Sequence, residues 1–175
     1  LDIKYNEEQK EAISKSLINN ISVITGGPGT GKTTIIKGII KTYSLIYKVS
    51  ENSIKDHVLL LAPTGRAAKR MSESTGYQAS TIHRFLKWDK ENNVFNINEL
   101  NSVHYNLIIV DESSMIDNHL MASLLRGLDI FNTQIVLVGD EYQLPSVGPG
   151  LVLNDIINTN IPHIRLEKIY RQSDK

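Results

Sequence analysis

Apolar residues are distributed along this chain in two distinct patterns. Short, nearly continuous apolar segments predict buried strands, and longer segments with apolar residues at helical spacing separate them. The predicted strands lie at 21–25, 57–62, 107–110, 135–139 and 163–166. Because strands and helices alternate, we expect an α/β fold in which helices cover both faces of a parallel β-sheet. A ligand in such a fold binds at the carboxyl ends of the strands.

Helix boundaries follow from capping residues and glycines. Asn6 with Gln9 resembles a capping box and begins a helix that runs to about Leu17. Further helices are predicted at 34–40, 64–75, 81–86, 117–126 and 150–158. The polar residues 48–57 predict a loop, and residues 87–104 predict a small hairpin insertion that turns at 91–93. No internal boundary is evident, so residues 1–175 are predicted to form a single domain.

Composition narrows the classes of function. The 175 residues have a formal net charge of zero, so any contact with a polyanion must come from local patches. The absence of cysteine excludes disulfides and thiolate metal sites, which fits a cytoplasmic protein. No apolar stretch is long enough to predict a membrane span. The sequence begins at Leu1 and ends at Lys175, directly after a charged motif, which suggests an excised piece of a longer protein.

A glycine-rich segment carries the strongest chemical signal. Residues 26–33 fit G-x-x-x-x-G-K-[ST], the phosphate-binding P-loop, and they lie between a predicted strand and a predicted helix. Glycines let successive backbone N–H groups point at phosphates, and the helix directs its positive end at the same anion. The alternative is a turn that binds nothing. The segment predicts an ATP site formed by Gly27, Pro28, Gly29, Thr30, Gly31, Lys32, Thr33 and Thr34.

Acidic residues at the end of a second strand predict the metal-binding and catalytic part of the same ATP site. Asp111 and Glu112 directly follow the apolar run at 107–110, an arrangement typical of a Walker B motif. The Thr33 hydroxyl and Asp111 would then hold Mg²⁺, and Glu112 would deprotonate the attacking water. An exposed acidic pair in a turn is the alternative. Gln143, in a Pro/Gly-rich loop after the strand at 135–139, could contact the γ-phosphate or be an ordinary turn residue.

Together these segments resemble the superfamily 1 DNA helicases, and most closely the RecD-like group that moves 5′ to 3′. The similarity rests on motifs that occur in the same order from Gln9 to Gln172. They are residues 26–34, 62–68, 80–84, 111–115, 139–150 and 166–172. The P-loop alone is generic, whereas Asp-Glu-Ser-Ser-Met followed by Gln-Leu-Pro-Ser-Val-Gly-Pro-Gly is far more specific. The resemblance implies a RecA-like P-loop NTPase fold and an ATP-dependent helicase.

The resemblance also implies roles for further residues. Gln9 would read the adenine, Tyr170 would stack on it, and Arg171 would contact the γ-phosphate and so join Lys32, Glu112 and Gln143 in catalysis. Single-stranded DNA would be bound through its backbone, without sequence specificity. The residues matched to DNA-contacting motifs are Pro63, Thr64, Gly65, Arg66, Thr81 and His83. By spacing alone, Arg66, Lys69 and Arg70 form a solvated helix face.

The resemblance further implies a second RecA-like domain of the same polypeptide, which would begin after Lys175 and complete the ATP cleft. The isolated fragment is therefore predicted to unwind DNA weakly or not at all. Two alternatives stay open. One is another superfamily 1 motor, such as an RNA helicase or a conjugative relaxase helicase. The other is a P-loop scaffold that binds nucleotide without useful hydrolysis.

Overall fold

A six-stranded parallel sheet forms the centre of the molecule. The computed structural model describes residues 4–27, 30–140 and 152–167. The strands of the sheet are β1 (Ile21–Gly26), β2 (Val58–Ala62), β3 (Ala79–Thr81), β6 (Leu107–Val110), β7 (Gln134–Gly139) and β8 (His163–Leu166). Their order is β3-β2-β6-β7-β1-β8, and every pair of neighbours is parallel. The sheet confirms the predicted parallel α/β architecture.

The first helix precedes β1, and the other helices lie between β1 and β8 along the chain. The helices are α1 (Glu7–Ile18), α2 (Lys32–Tyr47), α3 (Ile54–His57), α4 (Gly65–Thr75), α5 (Ile82–Phe85), α6 (Asn118–Gly127) and α7 (Val152–Ile157). Single turns of 3₁₀-helix occupy Glu51–Ser53 and Ser113–Met115. The predicted capping box is present, because the side chains and backbones of Asn6 and Gln9 bond reciprocally at the start of α1.

Two apolar clusters cover the two faces of the sheet. Successive residues of one strand point to opposite faces, so Ile24 belongs to one cluster and Val23 to the other. The first cluster packs α1 and α2 on the sheet through residues such as Ile36, and the second packs α6 and α7 through residues such as Leu124. Both faces are therefore buried, which explains why β2 and β6 are apolar at every position.

The segment at 48–57 differs from its prediction. Instead of a loop, it contains the 3₁₀ turn and α3, and Ile54 is buried against the first cluster. One apolar side chain anchors this short helical segment, which is too short for a periodic pattern to reveal it. His57, predicted as the first strand residue, ends α3 instead.

The edge strand β3 was not predicted from the sequence. It is three residues long and pairs only with β2, with Ala62 opposite Thr81. The predicted helix at 81–86 therefore begins as strand and continues as the short α5.

A small antiparallel hairpin follows α5. Strands β4 (Trp88–Asp89) and β5 (Val94–Phe95) pair across a turn in which the Asp89 carboxylate accepts hydrogen bonds from the backbone N–H groups of Glu91 and Asn92. The rings of Trp88 and Phe95 lie 4.7 Å apart. Within the described ranges, no helix has both the length and the apolar character needed to cross a membrane.

Candidate functional site

The P-loop connects the end of β1 to the start of α2. Gly31 adopts a left-handed conformation (φ 81°) directly before α2, which only glycine adopts without strain. The buried Thr30 hydroxyl donates a hydrogen bond to the Gly27 carbonyl at 2.7 Å and so ties these two residues together. Pro28 and Gly29, predicted to contact phosphate, lie outside the described residues.

Lys32 is the first residue of α2, and its side chain folds back over the loop. Its Nζ donates to the carbonyl oxygens of Gly26 and Gly27, the latter at 3.5 Å. The ammonium group is therefore held beside the loop by uncharged acceptors, which a charged phosphate oxygen can replace. Thr33 and Thr34 follow in the first turn of α2, where the Thr33 side chain is exposed.

Asp111 and Glu112 lie at the same edge of the sheet. The backbone N–H of Asp111 donates to the Leu61 carbonyl at 2.9 Å, and so continues the pairing of β6 with β2. The Asp111 carboxylate accepts the backbone N–H of Glu112 at 2.8 Å. Burial raises the pKa of Asp111, and the charge of Glu112 adds to this effect, while the Glu112 N–H and the charges of Lys32 and Arg70 oppose it.

Glu112 has an unusual backbone conformation. Its φ of 53° is left-handed, which is strained for a side chain of this kind. The strained residue is held by its own hydrogen bonds and by the 3₁₀ turn that follows, where the Ser113 hydroxyl donates to the Val110 carbonyl at 2.8 Å. Its carboxylate lies 3.7 Å from Arg70 Nη2.

One cavity of about 520 Å³ brings these groups together. Four of its lining residues were predicted for the nucleotide site, namely Lys32, Thr33, Asp111 and Glu112. The other lining residues were not predicted from the sequence, and all of them lie on α4: Ala67, Arg70, Met71, Glu73 and Ser74. Helix α4 reaches this cavity because β2, which precedes it, pairs directly with β6. The Arg70 side chain is 66% exposed, as predicted for a solvated helix face, and it also forms an ion pair with Glu112 that the sequence did not predict.

The donor groups fit a hard divalent cation that is bound together with phosphate. A hydroxyl and a carboxylate are the oxygen ligands that Mg²⁺ prefers. Among the described residues, no group of three or more His, Asp or Glu side chains could hold a metal unaided. A cation at Thr33 and Asp111 would therefore need oxygens from the nucleotide or from water to complete its coordination.

Gln9 is buried and occupied in the helix cap. Its side-chain oxygen accepts the Asn6 backbone N–H at 3.0 Å. Its predicted contact with adenine stays a prediction. Gln143, Tyr170 and Arg171 lie outside the described residues, so their predicted roles also stay predictions.

The residues predicted to contact DNA lie at the carboxyl ends of the neighbouring strands β2 and β3. The hydroxyls of Thr64 and Thr81 both cap helices, accepting the N–H groups of Ala67 (3.2 Å) and Arg84 (3.1 Å). Pro63 is half-buried, and Gly65, Arg66 and His83 are exposed. The His83 ring lies 5.5 Å from that of Phe95 in the hairpin. The two predicted DNA motifs are thus adjacent, on the same sheet edge as the residues predicted to bind nucleotide.

Comparisons with known proteins agree with this geometry. The family model described as an AAA domain matches residues 9–149. An ATP-dependent RecD2 DNA helicase of Deinococcus radiodurans is 39% identical over 97% of this chain and 22% of its own length. The RecBCD enzyme subunit RecD of Haemophilus influenzae is 34% identical over 85% of this chain and 26% of its own length. The chain thus spans about a quarter of the length of these curated relatives.

Solved structures show the same fold. The Pif1 helicase from Candida albicans superposes with a TM-score of 0.68 at 27% identity, over 98% of this chain and 41% of that one. A Bacteroides Pif1 helicase in complex with ADP-AlF3 and ssDNA gives a TM-score of 0.65 at 22% identity, over 99% and 44% of the two chains. At this lower identity the likeness concerns the fold alone.

These findings define the class of the protein as a nucleotide-binding P-loop NTPase with a RecA-like fold. The chain belongs to the AAA domain family, and within it to the RecD-like superfamily 1 helicases, as their N-terminal domain.

Proposed function

We propose that this chain is the ATP-hydrolysing motor domain of a RecD-like helicase that translocates 5′ to 3′ on single-stranded DNA and unwinds duplex in recombination and repair. The observation that carries the proposal is the single cavity lined by Lys32, Thr33, Asp111 and Glu112. A phosphate-binding cation, a metal-ligand pair and a candidate base therefore surround one space. A cytoplasmic location, where the chromosome is accessible, is part of the proposal.

Binding of ATP begins at the P-loop. The loop amides and the N-terminus of α2 attract the phosphates, and Lys32 Nζ exchanges the carbonyls of Gly26 and Gly27 for phosphate oxygens. Thr33 and Asp111 would hold Mg²⁺, which neutralises charge on the phosphates when it is bound. Gln9 and Tyr170 would bind the adenine.

Hydrolysis follows from the position of Glu112. Its carboxylate accepts a proton from a water molecule whose oxygen attacks the γ-phosphorus, and the bond from that phosphorus to the β–γ bridging oxygen breaks. The products are ADP, which keeps the bridging oxygen, and inorganic phosphate. Lys32 stabilises the charge that develops on the transferred group. Arg171 and Gln143 would approach the γ-phosphate from the remaining sides.

Movement along DNA requires a second surface. The exposed edge at Thr64 and Thr81 offers hydroxyls, backbone N–H groups and the Arg66 guanidinium to phosphates of a single strand. Every DNA sequence shares such phosphates, so the contacts suit translocation. A second RecA-like domain of the same polypeptide would close over the nucleotide and step along the strand with each cycle.

The test is ATP turnover by the full-length protein with and without single-stranded DNA. Glu112→Gln should retain nucleotide binding and lose roughly 10²–10⁴-fold in DNA-stimulated turnover, because the amide cannot accept the proton. Lys32→Ala should lose nucleotide binding. Glu73→Gln is the matched control, since Glu73 is an exposed acid that lines the same cavity but has no part in the proposed reaction.

The results separate the alternatives. Normal turnover in Glu112→Gln would remove the assignment of the general base. Stimulation by RNA in preference to DNA would favour an RNA helicase. Failure of every nucleic acid to accelerate turnover in the wild-type protein would favour a P-loop scaffold instead.

A further inference from the structure

The ion pair between Arg70 and Glu112 joins two parts of the molecule with different proposed roles. Arg70 lies on α4, the helix that begins at the proposed DNA-contacting residue Thr64. Glu112 follows β6 and is the proposed general base. Arg70 Nη2 and Glu112 Oε1 are 3.7 Å apart, and both residues line the nucleotide cavity. The contact therefore connects the proposed nucleic-acid edge with the reacting groups.

The geometry allows this contact to be made and released easily. The Arg70 side chain is 66% exposed and that of Glu112 is 22% exposed, so solvent screens the attraction. The main chain of Glu112, in contrast, is fixed. Its N–H donates to Asp111 Oδ1 at 2.8 Å, and its carbonyl accepts the Met115 N–H at 3.0 Å. The carboxylate is thus the part of Glu112 that is free to change direction.

Helix α4 links Arg70 mechanically to the exposed edge of the sheet. Arg70 lies six positions after Thr64, about 9 Å along the helix axis. Between them Ala67 and Ala68 are buried against the sheet, and Met71 follows on the same buried side. A phosphate that binds at the Thr64 cap therefore acts on the same rigid helix that carries Arg70, and a small shift of the helix alters the long Arg70–Glu112 contact.

We infer that Arg70 is a positioning residue that holds the Glu112 carboxylate away from the attacking water until single-stranded nucleic acid binds at the N-terminus of α4. While the pair is intact, the carboxylate is directed at the guanidinium, and ATP turnover is slow. When nucleic acid occupies the Thr64 edge, α4 shifts and releases Glu112. This inference rests on the proposed function, because it needs both a hydrolytic role for Glu112 and a nucleic-acid contact at Thr64.

The experiment measures ATP turnover by the full-length protein with no DNA and with saturating oligothymidylate. Arg70→Ala should raise DNA-free turnover about two- to fivefold, the range expected for release of one exposed ion pair, and leave DNA-saturated turnover within about twofold of wild type. The ratio of stimulated to basal turnover therefore falls. Arg70→Lys, which keeps the charge, should restore most of the restraint.

Lys69→Ala is the matched control. Lys69 is the preceding residue on α4, and its partner at 4.0 Å is the exposed Glu73 rather than Glu112. This variant should keep the wild-type ratio, and a thermal melt of each variant checks that the fold is intact. A merely structural role for Arg70 would lower turnover in both conditions and leave the ratio unchanged.

The outcomes distinguish the inference from the function on which it rests. If DNA stimulates the wild-type protein but Arg70→Ala has unchanged or lower DNA-free turnover, the role of Arg70 is wrong and the motor assignment stands. If DNA does not stimulate the wild-type protein, both fail. Structures with and without oligothymidylate give a second readout: we expect Arg70 and Glu112 to be paired without DNA and separated with it, and an intact pair in both would overturn the inference.

Discussion

Two adjacent glycines of the P-loop should differ in how strongly the same substitution destabilises the protein. A methyl group at Gly26 would overlap Thr30 Oγ1 and lie 3.0 Å from Leu166 Cβ and 3.2 Å from Thr30 Cβ. Thr30 is 5% exposed, and its hydroxyl is bonded to the Gly27 carbonyl, so it cannot move aside without breaking that bond. A methyl group at Gly27 meets no atom of the described residues within 4 Å, its chain neighbours aside.

The difference in free space around Gly26 and Gly27 sets the expected difference in stability between the two variants. Overpacking a close contact costs about 1–3 kcal/mol, and each kcal/mol lowers the melting temperature of a chain of this size by roughly 2–4 °C. Gly26→Ala should therefore lower the melting temperature by roughly 2–12 °C. Gly27→Ala should change the free energy of unfolding by less than about 0.5 kcal/mol, a shift of at most about 2 °C.

Thermal melting of the two variants without nucleotide, followed by circular dichroism, measures this difference. Nucleotide is left out so that only the packing of the loop is compared. Equal melting temperatures for Gly26→Ala and Gly27→Ala would refute the reasoning, because they would mean that Thr30 and Leu166 do not confine Gly26. A larger loss in Gly27→Ala would refute it more strongly.

Substitutions at three other residues test further features of the molecule. Asp111→Asn should melt at a higher temperature than wild type at neutral pH, because burial raises the pKa of Asp111 and makes its ionised form unfavourable; the difference should shrink as acid protonates Asp111. Thr64→Ala should lose about 1 kcal/mol of stability with the helix cap and weaken single-stranded DNA binding, while Thr64→Ser should keep both. Burial, together with the hydrogen bond to Glu51 and the charge of Glu51, raises the pKa of Tyr77 to about 12. Because folded Tyr77 keeps its proton longer than the unfolded chain does, stability should fall as the pH rises from about 10 through about 12, and Tyr77→Phe should show a smaller fall in pH-dependent melting.

The sequence predicted the central strands well because burial on both faces leaves an unambiguous signal. Leu107–Val110 is apolar at every position and is fully buried in the sheet. Strand β3, in contrast, has only three small or polar residues at the edge of the sheet, and it is recognisable as a strand only through its pairing with β2. Short strands of this kind depend on partners that are distant in sequence. A local sequence pattern carries no information about those partners.

The candidate site was predictable to the extent that its residues belong to local motifs. Lys32 begins the helix after β1, and Asp111 directly follows β6. Each belongs to a typical sequence motif, and the parallel sheet brings the carboxyl ends of both strands to one edge. The position of Arg70 is different, because it depends on the pairing of β2 with β6, which places α4 beside Glu112. Helical spacing indicates which residues share a face of α4 but does not indicate what lies opposite that face.

A crystal structure with Mg²⁺ and a non-hydrolysable ATP analogue is the decisive experiment for the proposed nucleotide site. We expect the β- and γ-phosphates at Lys32 Nζ in place of the carbonyls of Gly26 and Gly27, and the cation between Thr33 and Asp111, with Glu112 facing the γ-phosphate. A nucleotide bound elsewhere, or a cation far from the Asp111 carboxylate, would contradict the account.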